Sequence, residues 1–381
     1  MSDLRWKMSR KAFEWSLLTP QSTLSASRNY WEEIWKRTFC QKWISMTVDM
    51  ESLVKSRLIF FVGVNTGFVT DNLPDERYIN FYARRSSPLL YCAILGNVVV
   101  PDGFGSNAQT PVISDNPVWQ RVASAIADRG ALPGIQLASA WSGYTGNRRF
   151  RSNSPAAVIE SARKLLNEMS EDQQLKFLDS LEHGTELALD AGFRHIQLHA
   201  AHGYLFNLLI DQRFNSNAPS VLDRLRAWAI KLKAQGVETS IRISLRSGEI
   251  RFDQVGGDEF VDKIAQLPFD YVDVSSGFYN IDKKLIYPGR PDTITARWQE
   301  TLSFARRHPN QRFIYSGRAI TRPKSELPLN VHLGVCRDLI ANPDFLQQSA
   351  KGCENSGHCH YFSRGQDHVT CSQWLYADRH S

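Results

Sequence analysis

The chain has 381 residues, of which 42% are hydrophobic, and it carries a formal net charge of +6. That length can bury a full core, and the hydrophobic content is typical of a globular protein. The modest charge is spread along the sequence. Because binding to nucleic acid needs basic residues clustered on one face, we expect no nucleic-acid partner. No apolar run approaches the roughly 18 residues of a membrane span, and the first residues lack an apolar signal core. We therefore expect a cytoplasmic protein with no membrane span.

The first 52 residues differ in composition from the rest. They place five tryptophans among Arg and Lys side chains, with helical spacing from Tyr30 to Trp43. This pattern predicts an N-terminal helical extension, residues 1–52, that packs its tryptophans on the following domain. A partner-docking arm and a membrane-surface segment are the alternatives that the same residues leave open.

Short apolar runs alternate with amphipathic helical stretches from residue 53 to residue 350. Ala191-Gly192 and Gln235-Gly236 mark helix ends. Eight strand–helix alternations without a second Gly/Pro-rich linker predict one α/β domain, a (β/α)8 TIM barrel over residues 53–350. A doubly wound sheet is the structural alternative, but no G-x-G-x-x-G follows the first strand. The predicted strands are 57–62, 90–99, 134–137, 195–199, 239–244, 271–275, 312–316 and 331–335, and the main predicted helices are 117–129, 155–167, 171–191, 221–234 and 293–307.

The fourth predicted strand ends in a dense group of chemically active side chains. Polar and apolar residues alternate over 195–199, and a turn then leads into an apolar stretch at 205–210. His199, His202 and Tyr204 therefore crowd the carboxyl end of the strand, where barrels place their sites. A lone histidine there is more often structural. Two imidazoles and a phenol within six residues instead favour binding of a developing anion and donation of a proton.

The stretch H-A-A-H-G-Y-L-F-N that carries these side chains closely resembles the signature of the old yellow enzyme family of FMN-dependent NAD(P)H:flavin oxidoreductases. The resemblance covers about residues 53–375. It implies that His199 and His202 hold the carbonyl or nitro oxygen of the substrate and that Tyr204 donates the proton. One departure follows the motif: residues 218–220 lead directly into the next helix, in place of the family's Arg-Thr-Asp-Glu-Tyr-Gly-Gly-Ser stretch. Since that loop shapes the substrate mouth in the family, we expect a more open site, or one closed by another segment.

The same resemblance implies cofactor-binding roles at the ends of other strands, in chain order. Gln136 matches the glutamine that bonds the flavin pyrimidine edge, and Arg242 the arginine beside the N1–C2 carbonyl, where a cation stabilises the anionic reduced ring. Arg337 matches a phosphate ligand that the following helix dipole assists. Cys336 replaces the usual glycine, and its side chain takes up room in the phosphate loop. The full set implied for FMN is Asn65, Thr66, Gly96, Gln136, Arg242, Ser316, Gly317, Arg318, Cys336 and Arg337.

Residues 351–381 form a Cys/His-rich tail. Cys353, Cys359 and Cys371 with a nearby histidine such as His360 have the ligand types of a tetrahedral zinc site. An iron–sulfur cluster usually has four thiolates, and the tail has three, too loosely spaced at the start. We therefore expect a compact tail without metal that packs on the barrel, with His360 and its neighbours covering the flavin edge. Zinc on these four residues is the open alternative.

Together with the resemblance, these residues predict an FMN-dependent, ene-reductase-like oxidoreductase. NAD(P)H would bind transiently, reduce the flavin and leave. A small-molecule substrate, an electron-poor alkene, would then occupy the same site, receive the hydride from the flavin and be protonated by Tyr204. The alternatives are a flavin dehydrogenase that oxidises an amine or a cyclic enone precursor, an FMN-binding barrel with little turnover, and a flavin-free barrel lyase or aldolase. A homo-oligomer is compatible with the sequence.

Overall fold

The computed structural model of the chain describes residues 57–144, 151–152, 154–347 and 351–374. The predicted N-terminal extension, residues 1–52, lies outside the described residues. None of the helices in the described part of the chain is both long and apolar enough to span a membrane.

Eight parallel strands close into a barrel in which each strand pairs with its neighbours in the chain and the first also pairs with the last. In the closing register Phe61 lies opposite Val335 on one side and Ala93 on the other. The predicted TIM barrel is therefore confirmed, with every predicted strand present. The strands are β1 (Ile59–Phe61), β2 (Cys92–Val99), β3 (Leu132–Ala138), β4 (His195–Ala200), β5 (Glu238–Ser244), β6 (Tyr271–Ser275), β7 (Phe313–Tyr315) and β8 (Val331–Val335).

Helices cover the outside of the barrel. The longest helix, Glu171–Asp190, begins with a capping box at Ser170. Two helices end just before Gly192 and Gly236, whose φ values are 99° and 72°, and the predicted helix ends are therefore confirmed. The helices are α1 (Glu76–Arg85), α2 (Val118–Ala127), α3 (Pro155–Glu168), α4 (Glu171–Asp190), α5 (Leu205–Leu209), α6 (Ala218–Ala234), α7 (Ile250–Gln254), α8 (Gly257–Ala265), α9 (Lys283–Ile286), α10 (Pro291–Arg307) and α11 (Arg337–Ala341).

Two elements between β1 and β2 were not among the sequence predictions. A short hairpin pairs Val69–Thr70 with Leu73–Pro74, and α1 follows it. Asp75 caps α1, since its carboxylate accepts hydrogen bonds from the backbone N–H groups of Arg77 and Tyr78. These elements lengthen the connection after the first strand.

Alternate residues of each strand face opposite sides of the barrel wall. On β4, Ile196 and Leu198 belong to the large core between barrel and helices, as the alternation predicts. Gln197 and His199 face the interior, where they meet polar residues of β5. A smaller apolar cluster fills part of that interior and consists of Phe60, Val62, Cys92, Ile94, Tyr271 and Ile314.

Candidate active site

A cleft opens at the carboxyl ends of the strands, and most of the predicted site residues meet there. Those that line it are Asn65, Gln136, His199, His202, Tyr204, Arg242, Ser316, Gly317, Arg318, Cys336 and Arg337. Parallel strands and short loops bring these residues together from distant parts of the chain. The location agrees with the site position that a TIM barrel predicts.

His199, His202 and Tyr204 form one packed group. The rings of His199 and Tyr204 stack with centroids 4.7 Å apart, and the ring of His202 lies 5.1 Å from that of His199. His202 has a φ of 64°, an uncommon conformation for a residue other than glycine. Its backbone N–H donates to Ser244 Oγ at 2.9 Å, and its Nε2 lies 2.7 Å from Ser275 Oγ. These contacts fix the imidazole at the strand end.

The two histidines also carry polar atoms that the protein does not satisfy. Neither His199 Nδ1 nor His202 Nδ1 has a hydrogen-bond partner among the described residues, although both atoms are buried. Buried polar atoms are nearly always hydrogen-bonded, so such a pair at a cleft suits a polar ligand.

Burial controls the protonation of this group. It lowers the pKa of His199 to about 3, with help from the Arg242 charge. Burial lowers the pKa of His202 as well, and repulsion from His199, when that ring is protonated, and from Arg242 lowers it further. Burial raises the pKa of Tyr204 well above its usual value, against the opposing hydrogen bond to Ser106. At neutral pH the site therefore holds two neutral imidazoles and a protonated phenol.

The floor of the cleft fits a flat ring. A Cβ on Gly96 would lie 2.8 Å from Gly63 Cα and 2.9 Å from Gln136 Oε1, so no side chain can rise from these two strand ends. Gln136 Nε2 donates to Gln197 Oε1, which turns the oxygen of its amide toward the two glycines. The arrangement fits the pyrimidine edge of a flavin, and the cofactor-binding roles of Gly96 and Gln136 stay predictions.

Arg242 brings a buried cation to the cleft. Its side chain is 10% exposed and pairs with the carboxylate of Asp273 at 2.5 Å. Its second terminal nitrogen lies 3.4 Å from Ser275 Oγ. The guanidinium still has further N–H donors for a carbonyl oxygen of a flavin.

The opposite end of the cleft fits a phosphate group. Arg337 donates to Pro288 O at 2.6 Å and to Asn355 Oδ1 at 3.2 Å, which leaves further donors of its guanidinium. Arg318 is engaged by Asp338 at 3.0 Å, so its charge is already paired. The helix that begins at Arg337 has only five residues, and its dipole adds little.

Of two further predicted residues, Thr66 lies away from the cleft and Cys336 lies in it. Thr66 is wholly buried and does not line the cleft; its Oγ1 accepts the N–H of Phe68 at 3.2 Å, and its carbonyl accepts that of Val369 at 2.7 Å. Cys336 lines the cleft, and burial raises the pKa of its thiol to about 12. At neutral pH the thiol is uncharged, so it does not repel a phosphate.

The sequence predictions missed an aromatic wall around the motif. The ring of Tyr144 lies 5.5 Å from that of Tyr204, and the ring of Tyr279 lies 5.5 Å from it as well. Tyr287 donates from its hydroxyl to that of Tyr279 at 3.0 Å and stacks on His360 at 4.1 Å. These tyrosines come from loops without strand or helix periodicity, so no sequence pattern marked them.

The tail contributes to the cleft, with Cys359, His360, Tyr361, Phe362 and Ser363 among its lining residues. Trp374 anchors the tail by donating to Ile340 O at 2.6 Å. In the described part of the chain, no group of three or more His, Cys, Asp or Glu side chains is arranged to hold a metal ion. The domain boundaries at 52/53 and 350/351 stay predictions.

The sequence of residues 66–356 matches the NADH:flavin oxidoreductase / NADH oxidase family, which accounts for more than half of the chain. The chain belongs to this family. Membership implies FMN and a nicotinamide nucleotide, and it confirms the resemblance to old yellow enzymes that the strand-four motif carries.

Individual relatives are distant. A probable NADPH dehydrogenase of Candida albicans is 25% identical over 185 residues, which are 43% of this chain and 44% of that protein. An NADPH dehydrogenase of Geobacillus sp. (strain WCH70) is 25% identical over 203 residues, which are 50% of this chain and 59% of that protein. The chain thus spans about half the length of the curated relatives that it matches.

Solved structures share the fold. Old Yellow Enzyme from Pichia sp. AKU4542 has a TM-score of 0.59 at 16% identity, over 79% of this chain and 86% of that one. The 6-hydroxypseudooxynicotine amine oxidase of Pseudomonas geniculata N1 has a TM-score of 0.65 at 17% identity, over 85% of this chain and 52% of that one. Histamine dehydrogenase from Rhizobium sp. 4-9 has a TM-score of 0.64 at 17% identity, over 84% of this chain and 50% of that one.

Proposed function

We propose that this family member is an FMN-dependent NAD(P)H oxidoreductase that reduces an activated C=C bond. When bound, FMN supplies the hydride chemistry, taking two electrons from NAD(P)H and passing them to an electron-poor alkene. The observation that carries the proposal is the neutral histidine pair with unpartnered Nδ1 atoms packed against a protonated tyrosine. Relatives named NADPH dehydrogenase support a nicotinamide as the reductant.

The chain's own residues would divide the work on the substrate. His199 and His202 would donate hydrogen bonds to the substrate oxygen, and these bonds strengthen as negative charge develops on it. Tyr204 would give its phenolic proton to the carbon next to the activating group. Gln136, Arg242 and Arg337 would hold the flavin in place at its ring edge and phosphate.

The charge of the cleft favours an uncharged or anionic substrate over a protonated amine. Arg242, Lys283 and Arg337 line the cleft, and among its lining residues in the described ranges Asp338 is the only carboxylate. Asp338 is already paired with Arg318 at 3.0 Å. A protonated amine would therefore find no unpaired carboxylate among these lining residues as a counter-ion, which argues against the amine dehydrogenase alternative.

The experiment that tests the proposal follows the two half-reactions of the purified chain. Released flavin is identified by chromatography, anaerobic NADPH or NADH is added, and the reduced protein is then mixed with cyclic enones or nitroalkenes. We expect FMN, bleaching by the nicotinamide and rapid reoxidation by an enone. Reduction by amines in place of NAD(P)H would indicate the oxidative dehydrogenase, FMN without turnover would indicate a binding barrel, and no flavin would indicate a lyase or aldolase. Each of these outcomes contradicts the proposal.

A further inference from the structure

A connected set of hydrogen bonds crosses the barrel interior beneath the cleft. The register sets Gln136 beside Gln197 and Gln197 beside Ser240 on neighbouring strands. Gln136 Nε2 donates to Gln197 Oε1 at 2.5 Å, and Gln197 Nε2 lies 2.9 Å from Ser240 Oγ and 3.3 Å from Asp273 Oδ2. Asp273 Oδ2 also accepts from Arg242 at 2.5 Å. The set therefore joins the two side chains that would hold the flavin ring.

The same set continues toward the amino ends of the strands. His195 Nε2 lies 2.8 Å from Ser240 Oγ, His195 Nδ1 lies 3.3 Å from Glu238 Oε2, and Tyr91 donates to Glu238 at 2.5 Å. Serine, histidine and glutamate in this order have the connectivity of a hydrolytic triad. Ser240 is wholly buried, however, and its oxygen already accepts from Gln197. A substrate cannot reach it, so this part of the set holds Gln197 in place.

Asp273 is the charged member of the set. Its side chain is wholly buried, and its Oδ1 has no hydrogen-bond partner among the described residues. Its Oδ2 contacts both Arg242 and Gln197. Charges in such an environment interact much more strongly than charges at a surface. Asp273 therefore cancels part of the Arg242 charge from behind, on the side away from the cleft.

We propose that Asp273 is a positioning residue that lowers the midpoint potential of the bound flavin by partly neutralising Arg242. The inference rests on the proposed function, because it requires FMN beside Arg242. A cation at the N1–C2 edge favours the reduced, anionic flavin and so raises the potential. A carboxylate behind that cation opposes the effect and preserves the flavin as a strong hydride donor. Gln197 has a separate role, because it accepts a hydrogen bond from the amide of Gln136 and so fixes the orientation of that amide.

The test is the midpoint potential of bound FMN in wild type and D273N, measured against dyes of known potential. Asparagine keeps the shape and removes the charge. We expect the equilibrium constant for two-electron flavin reduction to rise at least tenfold, a positive shift of about 30 mV. An unchanged or lower potential in D273N with FMN bound would overturn the proposal.

Asp211→Asn is the matched control. Asp211 is also buried and pairs with an arginine, Arg213, at 2.7 Å, but neither residue lines the cleft. The control should keep the wild-type potential. A shift in D211N as large as that in D273N would mean that the potential follows general loosening of the fold, and the proposal would fail.

A second comparison keeps the test valid if D273N is too unstable, since breaking a buried ion pair is costly. R242Q alone leaves the carboxylate without its cation, whereas R242Q/D273N leaves neither charge. Because a buried carboxylate without its cation tends to take up a proton, both variants are measured at an alkaline pH that keeps Asp273 ionised. Under that condition we expect R242Q to lower the potential and the double variant to lie above R242Q, and a double variant at or below R242Q would overturn the proposal. Wild-type protein that binds no FMN would refute the proposed function as well, whereas FMN binding with an unchanged D273N potential refutes only the role of Asp273.

Discussion

His199 and Tyr204 stack with ring planes 25° apart and centroids separated by 4.7 Å. His199 lies near the end of β4, and Tyr204 immediately precedes the short helix α5. A single tight turn between them therefore sets the distance from the group that would hold the substrate oxygen to the group that would supply the proton. Tyr144 and Tyr279 pack against the Tyr204 ring, which restricts its movement further.

Arg337→Ala should weaken FMN binding. Arg337 lines the end of the cleft that we propose holds the phosphate, and a hydrogen bond to a charged group contributes about 1.5–3 kcal/mol. We expect the dissociation constant for FMN to rise about tenfold to a hundredfold, measured by fluorescence titration of the apoprotein. Arg226→Ala, at a half-exposed outer position, should leave affinity unchanged. Equal affinity in wild type and R337A would remove Arg337 from the phosphate site.

Acidification should destabilise the fold through His199. Burial lowers the pKa of this residue to about 3, whereas the pKa of histidine in an unfolded chain is about 6.5. Above pH 6.5 the side chain is neutral in both states and contributes nothing. Below that pH the unfolded chain takes up a proton first, so the free energy of unfolding falls between about pH 6.5 and pH 3. One such group contributes about 1.4 kcal/mol per pH unit.

Urea titrations of wild type and H199Q between pH 6 and pH 4 measure this effect. The variant should lose less stability with falling pH, by a difference of about 1.4 kcal/mol per pH unit. His183→Gln, at an exposed position on α4, is the matched control and should follow wild type. Parallel curves for wild type and H199Q would show that His199 is not held neutral by the fold.

The tail should fold without metal. Metal analysis of the purified chain should find well below one zinc equivalent, and a chelator should leave the thermal midpoint unchanged, because packing contacts such as that of Trp374 with Ile340 hold the tail. One bound equivalent together with a chelator-dependent loss of stability would favour zinc on Cys353, Cys359 and Cys371.

Much of the barrel and the centre of the site follow from local patterns. The period-two alternation in β4 correctly places Ile196 and Leu198 in the core and His199 in the interior. Helix α1 also had a signal, the capping Asp75 before apolar residues at helical spacing, but the extra hairpin before it obscured the pattern. Local patterns describe only residues that are close along the chain. The hairpin and α1 were missed because the stretch between β1 and β2 has the pattern of one long loop.

The rest of the site depends on contacts between distant segments. The pair of Arg242 with Asp273 arises from the register of β5 against β6, which alternation alone does not specify. Tyr279 and Tyr287 reach the cleft from the irregular segments on either side of α9, and His360 reaches it from the tail. Nothing in the spacing of these residues marks their approach, so only the folded chain brings them to the motif.

The most direct test of the proposed function is Tyr204→Phe, with its two half-reactions measured separately by anaerobic stopped flow. The change removes only the phenolic hydroxyl, so reduction by NAD(P)H should stay near the wild-type rate. Burial keeps that hydroxyl protonated at neutral pH by raising its pKa. Reoxidation by an enone should slow by about 10²–10⁴-fold, the usual contribution of a general acid, whereas reoxidation by a quinone should change little. Enone reoxidation at the wild-type rate in Tyr204→Phe would contradict the account.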